Sequence, residues 1–499
     1  MLEASKINFG KMFIVGFEGT TLTDSLTTKL KQLDPGGIIF FDTNIESRQQ
    51  VKQLIRDLKK LLGEDLIISV DQEGGKVQRL RKISPNLPSL MAVGKVSAEN
   101  EDADLLVEHT KLLAYDLKDL GFNFVFAPCV DLNTNSRNPV IGTRSLGHDC
   151  KLVMEQAAIM VETFVEARIG CCVKHFPGHG ATDIDSHLAL PHISLDHHNY
   201  MGHLSPFFRA IEEGVDAIMT AHILVDVEDI ETQSAICSTH PVSLSREFIM
   251  DDLRDNFGFS GLVISDEITM KALAEYGDYK ELALDMIFAG NNLIIWNTNI
   301  DDAVAVADYL NNLKSSNVYE FYARYHETIS KLYGFFNDLR RLGSEPEAFD
   351  QAAAMTRMHE LCLAAIELNK PLPQIQSYFE TKDQELAQKD TAVVILQHPK
   401  LEEDEIREVF ALDTYLIKTV DDFDKVFFSR YKTLILMSFQ SHFCEQGQSL
   451  IKKFKNIDNT NLLYVACDQP DPEADVNLLG AAKIHYQALK DLIFTDKKS

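Results

Sequence analysis

Eight short runs rich in β-branched and aromatic residues, each followed by a longer segment of helical period, restrict this chain to repeated βα units around a parallel sheet. The runs are MFIVGF (12–17), GGIIFF (36–41), LIISVD (66–71), FNFVFAP (122–128), CCVKHF (171–176), DAIMTAH (216–222), GLVISD (261–266) and NLIIWN (292–297). Eight is the number that closes a TIM (β/α)8-type barrel. The helices between them carry stop and start signals. SRQQVKQLIRDLKKLLG (47–63) opens on Ser47 as a cap and closes on Gly63, and SREFIMDDLRDNFG (245–258) is expected to do the same with Ser245 and Gly258. VEHTKLLAYDLKDLG, MEQAAIMVETFVEARIG and SPFFRAIEEG also end on glycine just before a strand run.

At 499 residues the chain is longer than one hydrophobic core usually supports. After a last barrel helix around DDAVAVADYLNNLK and a long helix over NVYEFYARYHETISKLYGFF, the stretch RLGSEPEAFDQAAAM mixes Gly, Ser, Pro and acids. This predicts a barrel domain over 1–340, a linker at 341–355 and a second domain over 356–499. In the last part TAVVILQ, TYLIKTV, TLILMSF and NLLYVAC read as strands of a smaller C-terminal α/β sandwich.

A formal charge of −27 repels phosphate backbones and anionic lipid, so neither nucleic acid nor a membrane surface is an expected partner. No run of about eighteen apolar residues suggests a membrane-spanning helix. The N-terminal MLEASKINFGKMFIVGFEG does not read as a signal peptide, and the eight cysteines include no C-x-x-C pair. Reduced thiols in a cytoplasmic protein are the expectation.

Barrels of this type carry their chemistry at the carboxyl ends of the strands. Here Asp71 ends the third run, Lys174 and His175 the fifth, His222 the sixth, and Asp266 with Glu267 the seventh. Those polar ends converge on one mouth. The fifth run opens into KHFPGHGATDIDSH (174–187). Its His-x-x-x-His spacing suits zinc only on a helix, which Phe176-Pro177-Gly178 and Gly180 disfavour. A metallohydrolase with ligands from several strands, or a purely structural role for each histidine, stays open on spacing. The remaining chemistry is proton transfer. Asp185-Ser186-His187 sets a carboxylate two residues from an imidazole, close enough to orient the ring and stabilise its protonated form. Asp266, at the end of a buried strand, is a candidate nucleophile; its alternative is to cap the following helix.

KHFPGHGATDIDSH followed by LALP, with VDQEGGKVQRL and VISDEITM, resembles glycoside hydrolase family 3, in particular its β-N-acetylglucosaminidases. MFIVGFEGTTLT, GGIIFFDTNIESRQQV, FAPCVDLN, NPVIGTRSLG, GVDAIMTAHI and GFSGLVISDE follow in the family's order across residues 10–300. The resemblance implies a retaining, exo-acting hydrolase that removes terminal β-linked N-acetylglucosamine through a covalent glycosyl-enzyme, without metal or organic cofactor. It implies Asp266 as nucleophile and His187, supported by Asp185, as general acid/base. Asp71, Arg79, Arg144, Lys174 and His175 match sugar-holding positions; as residue types alone, Arg79 and Arg144 could equally be structural ion pairs. Glu267 and AGNN (289–292) depart from the family's usual short residue and AG-x-D. The implied substrate is an N-acetylglucosamine-containing glycan, either a muropeptide of cell-wall turnover or a chitin oligosaccharide. Phosphorolysis is the alternative within catalysis, since a histidine tolerates an incoming phosphate better than a carboxylate does. A catalytically silent glycan-binding protein is the alternative outside it. The Gly-Lys of DQEGGK lacks the frame of a nucleotide-binding loop.

Overall fold

The computed structural model describes residues 7–494 apart from 230–233, 314–317, 342–348, 372–373, 376–390, 397–399, 418, 420–421, 440–444, 459 and 469. Strands β1 (Phe13–Val15), β2 (Gly37–Phe40), β3 (Ile67–Val70), β4 (Phe124–Val125), β5 (Gly170–Phe176), β6 (Ala217–Thr220), β7 (Leu262–Glu267) and β8 (Leu293–Trp296) form a closed parallel barrel. Closure is made by β1 against both β2 and β8, with Ile14 opposite Gly37 and Phe13 opposite Ile294. All eight lie inside the runs read from sequence, or within one residue of them.

The barrel has two apolar compartments because successive strand residues face opposite sides. Ile14, Ile39, Ile67, Phe124, Cys172, Ala217, Met219, Leu262, Ile264, Leu293 and Ile295 fill the interior, joined by Leu332, Phe335 and Phe336 of the long helix Val318–Arg341. That helix therefore plugs the barrel. Phe335 stacks edge-on to Phe124 at 5.7 Å, and a Cβ on Gly170 would come within 2.5 Å of the Phe335 ring. The alternate strand residues, such as Phe13, Val15, Ile38 and Phe40, pack outward against the surrounding helices.

Helix Arg48–Leu62 begins with the Ser47 side chain accepting from the Gln50 N–H and ends at Gly63. The 245–258 segment differs from the sequence expectation. It is a π-helix over Glu247–Asn256 preceded by Arg246, and no side chain caps it. Ser245 instead gives its carbonyl to the Ile249 N–H at 3.2 Å. The MEQAAIMVETFVEARIG helix stops at left-handed Arg168 (φ 59°) rather than at a glycine, because Gly170 is already paired in β5.

Of the expected linker 341–355, residues 342–348 lie outside the described residues, and helix Gln351–Ala365 starts within the remainder. Beyond it, β9 (Glu367–Leu368), β10 (Thr391–Leu396), β11 (Asp413–Ile417), β12 (Thr433–Phe439), β13 (Asn461–Cys467) and β14 (Val476–Asn477) form a sheet in the order β9-β14-β13-β12-β10-β11. It is parallel except for the β9–β14 pair. Alternation again makes two faces: Val393, Ile395, Ile435 and Met437 pack on Tyr486 and Leu489, while Val394, Leu396, Leu434 and Leu436 pack on Leu450 and Phe454. Helices on both faces complete the sandwich. No helix among the described residues is long and apolar enough to cross a membrane.

The plug gives a direct test. Phe335→Ala removes a buried ring from a space that the barrel wall cannot collapse to fill, and is expected to cost about 3–5 kcal/mol. Denaturant titration followed by circular dichroism measures it; a loss below about 1 kcal/mol would show that the plug does not carry the barrel's interior packing.

Candidate active site

The mouth is built on a chain of buried, alternating charges. Asp71 follows β3, and Glu73 lies in a tight hairpin (Gln72–Gly74 with Val77–Gln78) just beyond it. The hairpin needs glycine at its tip. Gly74 sits at φ 98°, and a Cβ there would lie 2.3 Å from the Pro88 carbonyl oxygen. Lys174, inside β5 and 2% exposed, donates to Asp71 Oδ1 and Glu73 Oε1, both at 2.7 Å. Arg144 ends a short 3-10 turn, Gly142–Arg144, and grips Glu73 with two N–H groups, Nε to Oε2 at 2.9 Å and Nη2 to Oε1 at 2.8 Å. Burial pushes the Glu73 carboxyl up, but Arg144 and Lys174 outweigh it and hold the group far below the usual carboxylate range. Burial likewise works against the Lys174 and Arg144 charges, and their carboxylate partners keep both ionised.

His175 continues the chain. Its Nδ1 lies 2.7 Å from Asp131 Oδ2, and Arg144 Nη2 approaches its Nε2 at 3.4 Å. Since a guanidinium only donates and an ionised carboxylate only accepts, Nδ1 carries the proton and Nε2 receives. Asp131 also accepts the backbone N–H groups of His175 and His179, the latter at 2.7 Å. Burial raises Asp131, yet the histidines and these N–H groups hold it low. Cys129, Asp131 and His175 come within 4.8 Å of one another. However, both Asp131 oxygens already accept hydrogen bonds, and burial drives the Cys129 thiol well above its ordinary value. The trio is a hydrogen-bonded support, and its donors are poorly disposed to bind a metal.

Across the mouth, Asp266 stands at the end of β7 and accepts the Glu267 N–H on Oδ1 at 2.8 Å. Burial raises its carboxyl, but His222, His175, that N–H and His187 together bring it below the ordinary 3.8. Glu267 is occupied differently, accepting from Thr269 Oγ1 at 2.6 Å and Asn297 N at 3.1 Å. Its carboxyl therefore ties the ends of β7 and β8 together. His222 backs the pair, with Nε2 3.0 Å from the Glu267 carbonyl and Nδ1 2.7 Å from Ser243 Oγ.

The segment after β5 is a turn and not a helix, so the His175 and His179 spacing has no helical face. Gly178 and Gly180 serve close packing. A Cβ on Gly180 would meet the Leu132 carbonyl oxygen at 1.7 Å. Further along, Asp185 Oδ1 accepts both the His187 backbone N–H and its Nδ1, each at 2.8 Å. The intervening Ser186 carbonyl takes the Ala272 N–H at 3.3 Å, which fastens this loop to the segment following β7. The hydrogen bond to Asp185 raises the His187 imidazole above its ordinary 6.5 against the effect of burial, while Asp185 is held below 3.8 despite being half-buried. His187 remains 66% exposed at its side chain, and among the described residues its Nε2 has no hydrogen-bond partner.

All eight residues nominated from sequence lie around this mouth. Arg79 sits over the Phe41 ring at 5.5 Å, with its buried Nε unpartnered. Two participants escaped the sequence reading, Glu73 and Asp131. Glu73 stood two residues past a nominated carboxylate. Asp131 lies three residues past Pro128, where the fourth run ends, just beyond the strand-end position that flags such a carboxylate.

Residues 8–323 match the model of the "Glycosyl hydrolase family 3 N terminal domain". A protein named beta-hexosaminidase from Tolumonas auensis is 34% identical over 283 residues, 56% of this chain and 81% of that protein. Among solved structures, NagZ from Neisseria gonorrhoeae in complex with N-trifluoroacetyl-D-glucosamine is 25% identical with a TM-score of 0.56, over 70% of this chain and 97% of its own. A family 3 β-N-acetylglucosaminidase from Paenibacillus sp. shares the fold over both domains, with a TM-score of 0.79, 24% identity, and 97% and 95% of the two chains covered.

The charge chain predicts an asymmetric response to substitution. Glu73→Gln leaves two buried cations facing one neutral amide and is expected to cost about 3–5 kcal/mol. Comparison of denaturation midpoints tests this, and a change below about 0.5 kcal/mol would mean that solvent already compensates those cations.

Proposed function

The chain belongs to glycosyl hydrolase family 3, and from that premise we propose that it is a retaining exo-β-N-acetylglucosaminidase. The enzyme class is a glycoside hydrolase of β-hexosaminidase type. The proposed substrate is a terminal β-linked N-acetylglucosamine on a muropeptide or a small chitin oligosaccharide. The observation that carries the mechanism is the Asp185–His187 pair standing within electrostatic reach of Asp266 at the barrel mouth.

In the proposed reaction an Asp266 carboxylate oxygen attacks the anomeric carbon as the bond to the leaving oxygen breaks. His187 Nε2 gives that oxygen its proton, while Nδ1–H stays on Asp185. The glycosyl–Asp266 ester then meets water, whose proton passes to Nε2 as its oxygen attacks the same carbon. The second inversion restores the β configuration and frees Asp266. Asp71, Arg79, Arg144, Lys174 and His175 are assigned to the sugar's hydroxyl and acetamido groups. Their fixed charges cost no reorganisation when substrate arrives.

Asp266→Ala is expected to abolish turnover of a chromogenic N-acetyl-β-glucosaminide without loss of folding. A 2-fluoro or 5-fluoro sugar analogue should label one peptide, at Asp266, detectable by mass spectrometry. Label on another residue, or near-normal kcat in the variant, would remove the nucleophile assignment. Running the same assay in phosphate distinguishes free sugar from sugar 1-phosphate.

The proton assignments fix the pH profile. Asp266, held below 3.8, must be ionised, so kcat/KM should fall only below that pH. His187 must be protonated, and its raised value places the loss of activity above 6.5. Asp185→Asn removes the carboxylate whose hydrogen bond to Nδ1 chiefly causes that rise, so the basic limb should move to lower pH. His187→Ala should lose far less on substrates with good leaving groups. A basic limb unmoved by Asp185→Asn, or equal losses across leaving groups, would exclude His187 as the acid.

A further inference from the structure

The second domain reaches the sugar-holding charges through one carboxylate. Asp468 directly follows β13, in a left-handed conformation (φ 73°) that turns the chain sharply at the end of a central parallel strand. It is 4% exposed. One oxygen, Oδ1, accepts from the Thr143 hydroxyl, and the other, Oδ2, pairs with Lys76 Nζ at 2.9 Å.

Both partners belong to the segments that carry the mouth's bidentate pair. Thr143 precedes Arg144 in the Gly142–Arg144 turn, and Lys76 follows Glu73 by three residues at the tip of its hairpin. The same two segments are therefore joined twice, on the mouth side by Glu73–Arg144 and behind it by Lys76–Asp468–Thr143. Further contacts hold the hairpin's continuation to the second domain. Ser89 donates its N–H to His485 Nε2 at 3.0 Å and its hydroxyl to the Leu479 carbonyl. Arg81, 3.6 Å from Glu405 of the second domain, donates back to the Lys76 carbonyl at 2.7 Å. Among the described residues, no hydrogen bond or ion pair joins the second domain to Asp185, His187 or Asp266.

We propose that Asp468 is a positioning residue for sugar binding: the second domain sets the separation of the Glu73 hairpin and the Arg144 turn, and thereby the placement of the Arg144 and Lys174 donors. This rests on the hydrolase reading above. Asp468 lies outside the family-matched residues 8–323, so it is a feature of this two-domain chain and not of the matched barrel. In the ion pair it makes, the Asp468 side chain is buried and that of Lys76 largely so, and a charge-assisted bond is stronger than a neutral one. Loss of the clamp would relax donors that hold the sugar equally in ground and transition states. It would then raise KM and leave kcat nearly intact.

The test uses the full chain and three variants, assayed with an aryl N-acetyl-β-glucosaminide. Asp468→Ala is expected to raise KM roughly tenfold with kcat changed less than about threefold. Asp468→Asn, which keeps an acceptor for Thr143 but loses the charge toward Lys76, should fall between. Lys95→Met removes another ion pair between the domains, Lys95–Glu367 at 2.6 Å, made by neither segment, and should leave the kinetics unchanged. Hydrogen exchange supplies the second readout. In Asp468→Ala, amides over 72–78 and 141–145 should exchange faster while those of β12 stay protected, which also shows that the second domain remains folded. Unaltered KM with unaltered exchange at both segments overturns the proposal, as does an equal KM change in Lys95→Met. If the unsubstituted chain fails to cleave the glycoside, the hydrolase reading falls, and exchange at the two segments alone decides whether Asp468 is the clamp.

Discussion

The mouth depends on Glu73 being buried between two cations. Each ion taken from water into this setting loses several kcal/mol of solvation after relaxation. No pairwise contact in the chain would offset that if its neighbours were removed. The solution is alternation: Asp71, Lys174, Glu73 and Arg144 place every charge against one or two of opposite sign at 2.7–2.9 Å. His175 and Asp131 extend the sequence with a fixed tautomer. The result is a row of donors and acceptors that cannot reorient, because each is already consumed in holding its neighbour. Such rigidity stabilises the fold only modestly and orients a polar ligand strongly.

That row also explains how the chain segments are disposed. Lys174 is supplied from within a barrel strand, where the β5–β6 register shifts between Val173 and Phe176, and it is held instead by its backbone bridge to Cys129 and Val130. Glu73 and Arg144 come from connections after β3 and β4, which are free to vary unless something restrains them. The Glu73 hairpin is restrained by glycines that let it press on residues 88–89, and the Arg144 turn by its hydrogen bonds to 141–142. A third restraint comes from outside the barrel, at Asp468. Half the mouth is thus positioned by secondary structure and half by packing against other parts of the chain.

The same division separates what the sequence reveals from what it conceals. Barrel strands were legible because a strand buried on both faces must be a continuous run of apolar β-formers, and no other element in a soluble chain makes that pattern eight times. Asp71, Lys174 and Asp266 were legible as polar residues abruptly ending such runs. Glu73 was not, since an acid in a Gly-Gly turn looks like any solvated loop residue until Arg144, seventy-one positions away, is known to face it. Asp131 was concealed by the shortness of β4, where only Phe124 and Val125 are paired as strand. The π-helix at 247–256 escaped for a further reason: Ser245 does not cap it, and nothing in local propensity distinguishes α from π winding. Asp468 could not be read at all, because its meaning lies in a contact between domains.

A histidine in place of a second carboxylic acid also follows from this crowding of charge. The mouth already holds Asp71, Glu73, Asp131 and Asp266 as anions. Another carboxyl beside Asp266 would compete with it for ionisation, and each like charge would raise the other's affinity for protons. An imidazole reverses the sign. When protonated it is a cation, which lowers Asp266 and is itself favoured by the negative field of Asp266 and Asp185. Nucleophile and acid then stabilise each other's working form instead of opposing it. The Asp185 contact, made by side chain and backbone from two residues away, orients the exposed imidazole, while the buried Ser186 between them anchors the loop to His179 and Ala272.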